Sequence, residues 1–363
     1  MTSFPDLAWV LVRTLADAAW QASLASVALL VAERLMPRIA SRWRAALLTL
    51  AALRFAWPPV VGLPAPFGVK APLDLSGSLL PHALDPGPEW TWAAGAALLV
   101  WGIGTLARMT SLWVARARLM SQVQALGSAA PETRRVHALA RRMGIARIPT
   151  PARMPGAAAP FVFGWRHPVL VLPERGLVPG EARLALLHEL AHVRRGDLLV
   201  RELLTWLGAL WWWNPLFAIT SRRLREVQEE ACDDLAIAVG GAAPERYGRM
   251  IVREATAWRL AVDHRRAPAE SVAGLGGPSL ERRLRRLLQS ERAVRPSLVH
   301  LLILCAALAM TLPRATSPAW RVVHLHGERG LSSPRVHLDA EWQDDDHRAQ
   351  HQAQHQARHR SHH

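Results

Sequence analysis

Apolar residues run almost unbroken through four stretches of the chain. These are residues 7–32 (LAWVLVRTLADAAWQASLASVALLVA), 45–62 (AALLTLAALRFAWPPVVG), 92–114 (WAAGAALLVWGIGTLARMTSLWV) and 297–313 (SLVHLLILCAALAMTLP). A membrane-crossing helix needs roughly 20 apolar residues and about 17 at the least, so the pattern predicts four transmembrane helices, the second and fourth short. Between the third and fourth, residues 116–296 change character. RARLMSQVQALGSAAPETRRVHALARRMGI predicts helices broken at Gly127 and around Ala129–Pro131. PAPFVFGWRHPVLVLPERGL alternates apolar and small residues with proline punctuation, so FVFG and HPVLVLP predict a small hairpin or an edge strand. After Pro179-Gly180, EARLALLHELAHVRR predicts a long helix stopped or bent at Gly196. RRLREVQEEACDDLAIAVGG predicts another, with Leu224, Val227, Ala231, Leu235 and Ala238 at helical spacing. The expected fold class is a mainly α membrane protein: four transmembrane helices with an inserted α+β domain.

Charge fixes the orientation. The 33–44 linker carries four arginines, the 63–91 linker only Lys70, and the first nine residues no basic residue at all. Arginines return at 116 and 118 and continue through the inserted segment. By the positive-inside rule the N-terminus lies outside, 33–44 inside, 63–91 outside and 116–296 inside, which leaves the C-terminal tail outside. The implied location is a bacterial inner membrane. The layout is three spans in 1–115, an inside domain in 116–296, a fourth span at 297–313 and a tail at 314–363. The first span is too long and too polar for a cleavable signal peptide. Its Arg13, Asp17 and Gln21, spaced i, i+4, i+8, form a polar stripe that should face protein rather than lipid. The net charge of +15 is almost all arginine, and no zinc-finger or RNA-binding motif accompanies it, which argues against direct nucleic-acid binding. Two cysteines, Cys232 and Cys305, exclude a disulfide framework and a cysteine-rich zinc site.

The chemistry concentrates in HELAHVRRGD, residues 188–197. His188 and His192, at i and i+4 on one helical face, can grip one zinc ion, and Glu189 lies about 100° round the helix, where it can serve the attacking water as general base. Zinc hydrolases commonly add one carboxylate ligand and leave the fourth position open. Downstream, EEACDD supplies acidic residues in an arginine-rich neighbourhood, and Glu229 and Asp233 at i, i+4 share a face. A carboxylate ligand there would leave Asp233 to accept the second N–H of a zinc histidine and fix its tautomer. Tyr247, the only tyrosine, is a candidate transition-state stabiliser, and Asp197 a candidate cap of the following helix.

HELAHVRRGDLL followed by WWWNPL and EEACDD resembles the BlaR/MecR-type membrane metallopeptidases, the antirepressors of β-lactam sensing. The Glu-x-x-x-Asp spacing is similar to that of gluzincin membrane proteases. PFVFGWRHPVLVLP, RYGRMIV and LERRLRRLL extend the resemblance, which covers residues 7–313. It implies a gluzincin-like domain with His188, His192 and Glu229 as Zn2+ ligands. Asp233 follows Cys232 in the shared Cys-Asp pair, so Glu229 rather than Glu230 is the implied ligand. The implied activity is zinc-assisted endoproteolysis, with a substrate strand paired to an edge strand in 160–172. The implied substrate is a cytoplasmic protein, such as a winged-helix repressor, or the chain itself. Membrane-protein quality control and a receptor with structural zinc are the alternatives, and the oligomeric state is left open.

Two segments complicate this picture. Residues 202–219 are apolar enough for a fifth span, but a crossing would put Glu229 across the bilayer from the histidines. The segment is therefore expected to be buried, interfacial or re-entrant near Asn214-Pro215. The tail is too short for the family's penicillin-binding sensor and lacks an S-x-x-K motif, so a sensorless relative is expected. His347, His351, His355, His359 and His363 repeat every four residues in that tail, a polar low-complexity pattern that can also bind a metal ion.

Overall fold

The structure is a computed structural model and describes residues 4–36, 39–56, 88–124, 130–178, 180–263 and 277–289. All of these lie in the first of the two units into which the chain divides, Met1–Thr316. Residues 63–87 of the linker, the expected fourth span and the histidine-bearing tail lie outside the described residues, as do residues 57–62 of the second span.

The described residues are mostly helical, with one small sheet. Helices α1 (Phe4–Leu35), α2 (Ser41–Leu53, prolonged by a 3-10 turn to Ala56) and α3 (Pro88–Gln124) correspond to the first three apolar stretches. Among the described residues, one helix is long and apolar enough to cross a membrane, Trp92–Val123 within α3. Helix α2, with 13 residues, is shorter than a bilayer needs. Helix α3 also runs ten residues past the expected end at 114, because Leu119 and Val123 are buried against Met154, Phe161, Phe163 and Val171 of the sheet. Of the polar stripe on α1, Gln21 faces protein: its Oε1 accepts from Arg54 Nη2 at 2.7 Å. The side chains of Arg13 and Asp17 lie outside the described residues.

Helix α4 (Ala130–Arg142) leads into strands β1 (Thr150–Met154), β2 (Phe161–Phe163) and β3 (Val169–Pro173). The hairpin expected from FVFG and HPVLVLP is β2–β3, antiparallel with Phe161 opposite Val171. Strand β1 was not expected from the alternation. It pairs in parallel with β3, Thr150 opposite Val169, so β3 is central and β2 has a free edge. TPARM carries a proline and an arginine, and only its pairing with the β3 edge makes it a strand.

Among the described residues, five helices follow the sheet. Helix α5 (Ala182–Arg195) ends at Gly196, whose left-handed backbone (φ +73°) starts α6 (Asp197–Leu210) without an intervening loop. Helix α7 (Pro215–Gly240) begins at Asn214, whose side chain accepts from Phe217 N–H at 3.1 Å, with Pro215 in the first turn. Helices α8 (Pro244–Asp263) and α9 (Gly277–Gln289) follow. Leu186, Leu187 and Leu190 of α5 are fully buried, each a contribution of roughly 2 kcal/mol from apolar burial.

Helix α7 belongs to both cores. Its Phe217, Leu224 and Val227 pack with Ala45, Leu48 and Phe55 of the α1–α2 side, while Cys232 and Ala236 join the core around α5. It lies antiparallel along α2. Ser41 Oγ donates to Asp234 Oδ2 at one end (2.7 Å), and Phe55 meets Phe217 at the other (ring centroids 5.1 Å). Residues 202–219 therefore do not form one continuous helix. The chain reverses at 211–214, where Trp211 Nε1–H donates to Phe55 O (3.0 Å) and Asn214 Nδ2–H to Ser23 Oγ (3.2 Å). Trp101 Nε1–H of α3 donates to Leu210 O at the same tip (3.0 Å), so the reversal is held by all three N-terminal helices.

Candidate metal centre

Helix α5 presents His188 and His192 one turn apart on its buried face, with ring centroids 5.1 Å apart and planes at 86°. Helix α7 brings Glu229 against both: its Oε2 lies 3.3 Å from His188 Nε2 and its Oε1 3.4 Å from His192 Nε2. A tetrahedral ion with bonds of about 2.0–2.1 Å separates its ligand atoms by about 3.3–3.4 Å, so the donor set fits such an ion in spacing as well as in chemistry. The neighbouring Glu230 turns away. It is 2% exposed, and its Oε2 accepts from Arg44 Nη1 at 3.0 Å.

Behind each histidine a carboxylate occupies the Nδ1 side. Asp233 Oδ1 lies 3.2 Å from His188 Nδ1, and Tyr247 bridges the two, its O–H donating to Asp233 Oδ1 (3.0 Å) while its oxygen sits 2.9 Å from the ring nitrogen. An Nδ1–H tautomer satisfies both acceptors and leaves the Nε2 lone pair free for an ion. Tyr247 is fully buried, and its hydroxyl meets His188 and Asp233. Asp197 does the equivalent for His192, with Oδ2 3.1 Å from Nδ1, and makes no side-chain cap to α6. Cys232 Sγ completes that side, 3.2 Å from His192 Nδ1 and 3.3 Å from Asp197 Oδ2.

Two arginines in the site were not singled out from sequence. Arg283 of α9 donates to both oxygens of Asp233 (Nε 2.8 Å, Nη2 2.7 Å), and its Nη1 lies 3.3 Å from Glu229 Oε2. Arg201 of α6 donates to Glu229 Oε1 at 2.7 Å. Its Nη2 is equidistant, 3.4 Å, from the two ring nitrogens of His192, and so lies off the Nε2 axis. LERRLRRLL marked the neighbourhood of Arg283, but the periodicity of that segment does not tell which arginine turns inward.

These contacts set the charge states of the metal-free centre. Burial opposes a charge on His188, but the hydrogen bonds and charges of Asp233 and Glu229 outweigh it and raise the ring to about 10. Burial would raise Asp233, yet the Arg283 guanidinium and His188 hold it at about 2. Glu229 is likewise held well below its ordinary value, against burial, by His192, His188 and Arg283. Burial raises the Cys232 thiol and the Tyr247 phenol far above their usual ranges, so both stay protonated.

Glu189, 9% exposed, differs from the other acids. It has no hydrogen bond or ion pair among the described residues, and burial raises its carboxyl above the ordinary value. It faces a cavity of about 290 Å³ shared with His188, His192, Glu229 and residues 159–165, which include β2.

A family model described as BlaR1 peptidase M56 matches residues 78–284, more than half of the chain and every residue of this centre. The chain belongs to the BlaR1 peptidase M56 family. Regulatory protein BlaR1 of Bacillus licheniformis is 33% identical to it over 84 residues, 23% of this chain and only 14% of that protein. Membership of the M56 family makes this a peptidase fold, with a buried His/Glu cluster able to hold a metal ion.

Proposed function

We propose that the protein is a membrane-embedded zinc endopeptidase in which His188, His192 and Glu229 hold Zn2+ and Glu189 is the general base. The observation that carries this reading is the convergence of the two Nε2 atoms and the Glu229 carboxylate, all within 4.8 Å of one another, on a cavity shared with the unpaired Glu189 and with β2. When bound, zinc would polarise a peptide carbonyl and ease deprotonation of the attacking water. Glu189 would take that proton and return it to the leaving amine. Asp233 with Tyr247, and Asp197, would hold the two imidazoles in register. The free edge of β2 would pair with an extended substrate backbone.

The layout of three spans, an inside domain at 116–296, a fourth span and an outside tail belongs to this proposal. It is supported by the arginine distribution and by Arg44 and Ser41, which tie the 33–44 segment to Glu230 and Asp234. That linker and the metal domain then share one side of the bilayer. With α1 to α3 in the membrane, the reversal at 211–214 is re-entrant, since it touches Ser23, Phe55 and Trp101. The regulatory character of the Bacillus licheniformis relative supports a substrate in a regulatory pathway, such as a winged-helix repressor, or self-cleavage. The test compares wild type with Glu189→Ala for fragments of co-expressed candidates and of the chain itself. Zinc-dependent fragments should vanish in the variant. Identical fragments from both proteins refute the enzymatic reading.

A further inference from the structure

The charged wall of the metal cavity consists mostly of partners. Arg116 pairs with Glu202, Arg201 with Glu229, and Arg283 with Asp233 and Glu229. Beyond Glu189, two charged groups there, Arg225 and Glu254, have no hydrogen bond or ion pair among the described residues. They differ in what that solitude costs. Arg225 is a long side chain whose head can reach solvent along its own stem. Glu254 of α8 is short and half-buried, and burial pushes its carboxyl up to about 7, the like charges of Glu189 and Asp233 adding to the effect and the opposite charges of His188 and Arg283 reducing it. Its sequence neighbour does not relieve it, because Arg253 turns outward to Glu181 (3.5 Å).

Position gives this carboxyl a use. Glu254, Ala159 and Pro160 line both the metal cavity and an adjoining groove of about 800 Å³. An extended chain paired to the free edge of β2 would pass from one to the other beside them. The groove has a buried apolar floor of Ala182, Ala185 and Met250. A floor of that kind takes the methylene stem of a long cationic side chain while its head reaches a carboxylate. We propose that Glu254 is a specificity-determining residue that receives an arginine or lysine side chain of the peptide substrate beside the scissile bond. The inference rests on the peptidase reading above.

Binding tests it separately from cleavage. The full chain carrying Glu189→Ala, zinc-loaded in detergent micelles, is titrated into fluorescein-labelled decapeptide mixtures. One position at a time is fixed as arginine, citrulline or glutamate, and anisotropy is read. At one position the arginine mixtures should bind at least tenfold more tightly than citrulline. That preference should disappear with Glu254→Gln and turn toward glutamate with Glu254→Arg. The Glu254→Gln chain should unfold no earlier than its parent, since it loses no partner. Equal binding of arginine and citrulline, no binding of any mixture, or an arginine preference that survives Glu254→Gln overturns the proposal. Cleavage of the same mixtures by the chain with Glu189 intact reports on the peptidase reading alone.

Discussion

Replacing Asp233 by asparagine isolates the carboxylate behind His188 from the metal ligands themselves. Asp233 is 2% exposed, accepts two hydrogen bonds from Arg283 and one from Tyr247, and lies 3.2 Å from His188 Nδ1. In Asp233→Asn the side chain keeps its shape, but its amide now turns N–H groups toward donors. Losing a carboxylate that orients a metal histidine costs roughly 10–100-fold in metal affinity. Arg283, 4% exposed, is left without half of its counter-charge, a loss on the order of 3 kcal/mol in stability. Zinc affinity is read by competition with a chromophoric chelator, and stability by thermal unfolding of the metal-free chain. Acid supplies a second readout. The folded carboxyl sits at about 2, below its ordinary 3.8, so its contribution of about 2 kcal/mol is complete above pH 4 and is lost as the pH falls toward 2. The stability gap between wild type and D233N should therefore narrow across that window. Asp234→Asn is the control: its side chain is 45% exposed, its Arg286 contact lies at the surface, its Ser41 contact is part-buried and remote from the histidines, and zinc affinity should not change. Wild-type zinc affinity in D233N would refute the orienting role.

Other consequences can be checked more briefly. Because His188 is held protonated in the metal-free centre, zinc binding near pH 7.5 should release about one proton, measured as a dependence of the calorimetric enthalpy on buffer ionisation. Buffer-independent enthalpies would contradict this. Glu229→Ala should abolish stoichiometric zinc binding, whereas Glu230→Ala should leave the stoichiometry intact and cost about 1–3 kcal/mol of stability, since Arg44 Nη1 loses its acceptor while Glu33 still holds the rest of the guanidinium. Metal analysis after gel filtration separates the two, and zinc loss in Glu230→Ala would reverse the assignment. Cys232→Ala should retain one zinc per chain, since the thiol meets His192 on its Nδ1 side. A cysteine at Trp213, which is 44% exposed, should escape membrane-impermeant maleimide from both sides of intact cells if the 211–214 reversal is re-entrant. Labelling from the cytoplasmic side would place it at the surface instead.

The metal cluster could be read from sequence because each part is local. His188 and His192 are one helical turn apart, as are Glu229 and Asp233, and periodicity alone places each pair on one face. What joins them is not local. The choice between Glu229 and Glu230 came from a family resemblance, and geometry gives its cause: Glu230 is drawn the other way by Arg44. Tyr247 and Asp197 were visible as residues, but what they touch was not. A hydroxyl 59 positions from its histidine and a carboxylate at a helix start carry no signature of what they face. Strand β1 was missed for the same reason, since only the edge of β3 makes a strand of TPARM.

The arginine excess has a cause that composition alone left unseen. A net charge of +15 argued neither for nucleic acid nor for anything specific. In the folded chain, arginines are the counter-ions of a buried acidic interior. Arg44 and Arg223 neutralise Glu33, Arg44 also holds Glu230, Arg283 holds Asp233, and Arg286 reaches Asp234. A metal helix that passes through a helical bundle on its way to the site needs this arrangement. Glu229, Glu230 and Asp233 are all under 5% exposed, and an uncompensated charge at that depth costs several kcal/mol. Guanidinium suits the task, since it stays charged when buried and can bind two carboxylate oxygens at once. The one carboxyl in the cavity wall that lacks such a partner among the described residues, apart from Glu189, is the half-buried Glu254. In an interior where acids are otherwise matched, its counter-ion is the one a substrate would bring.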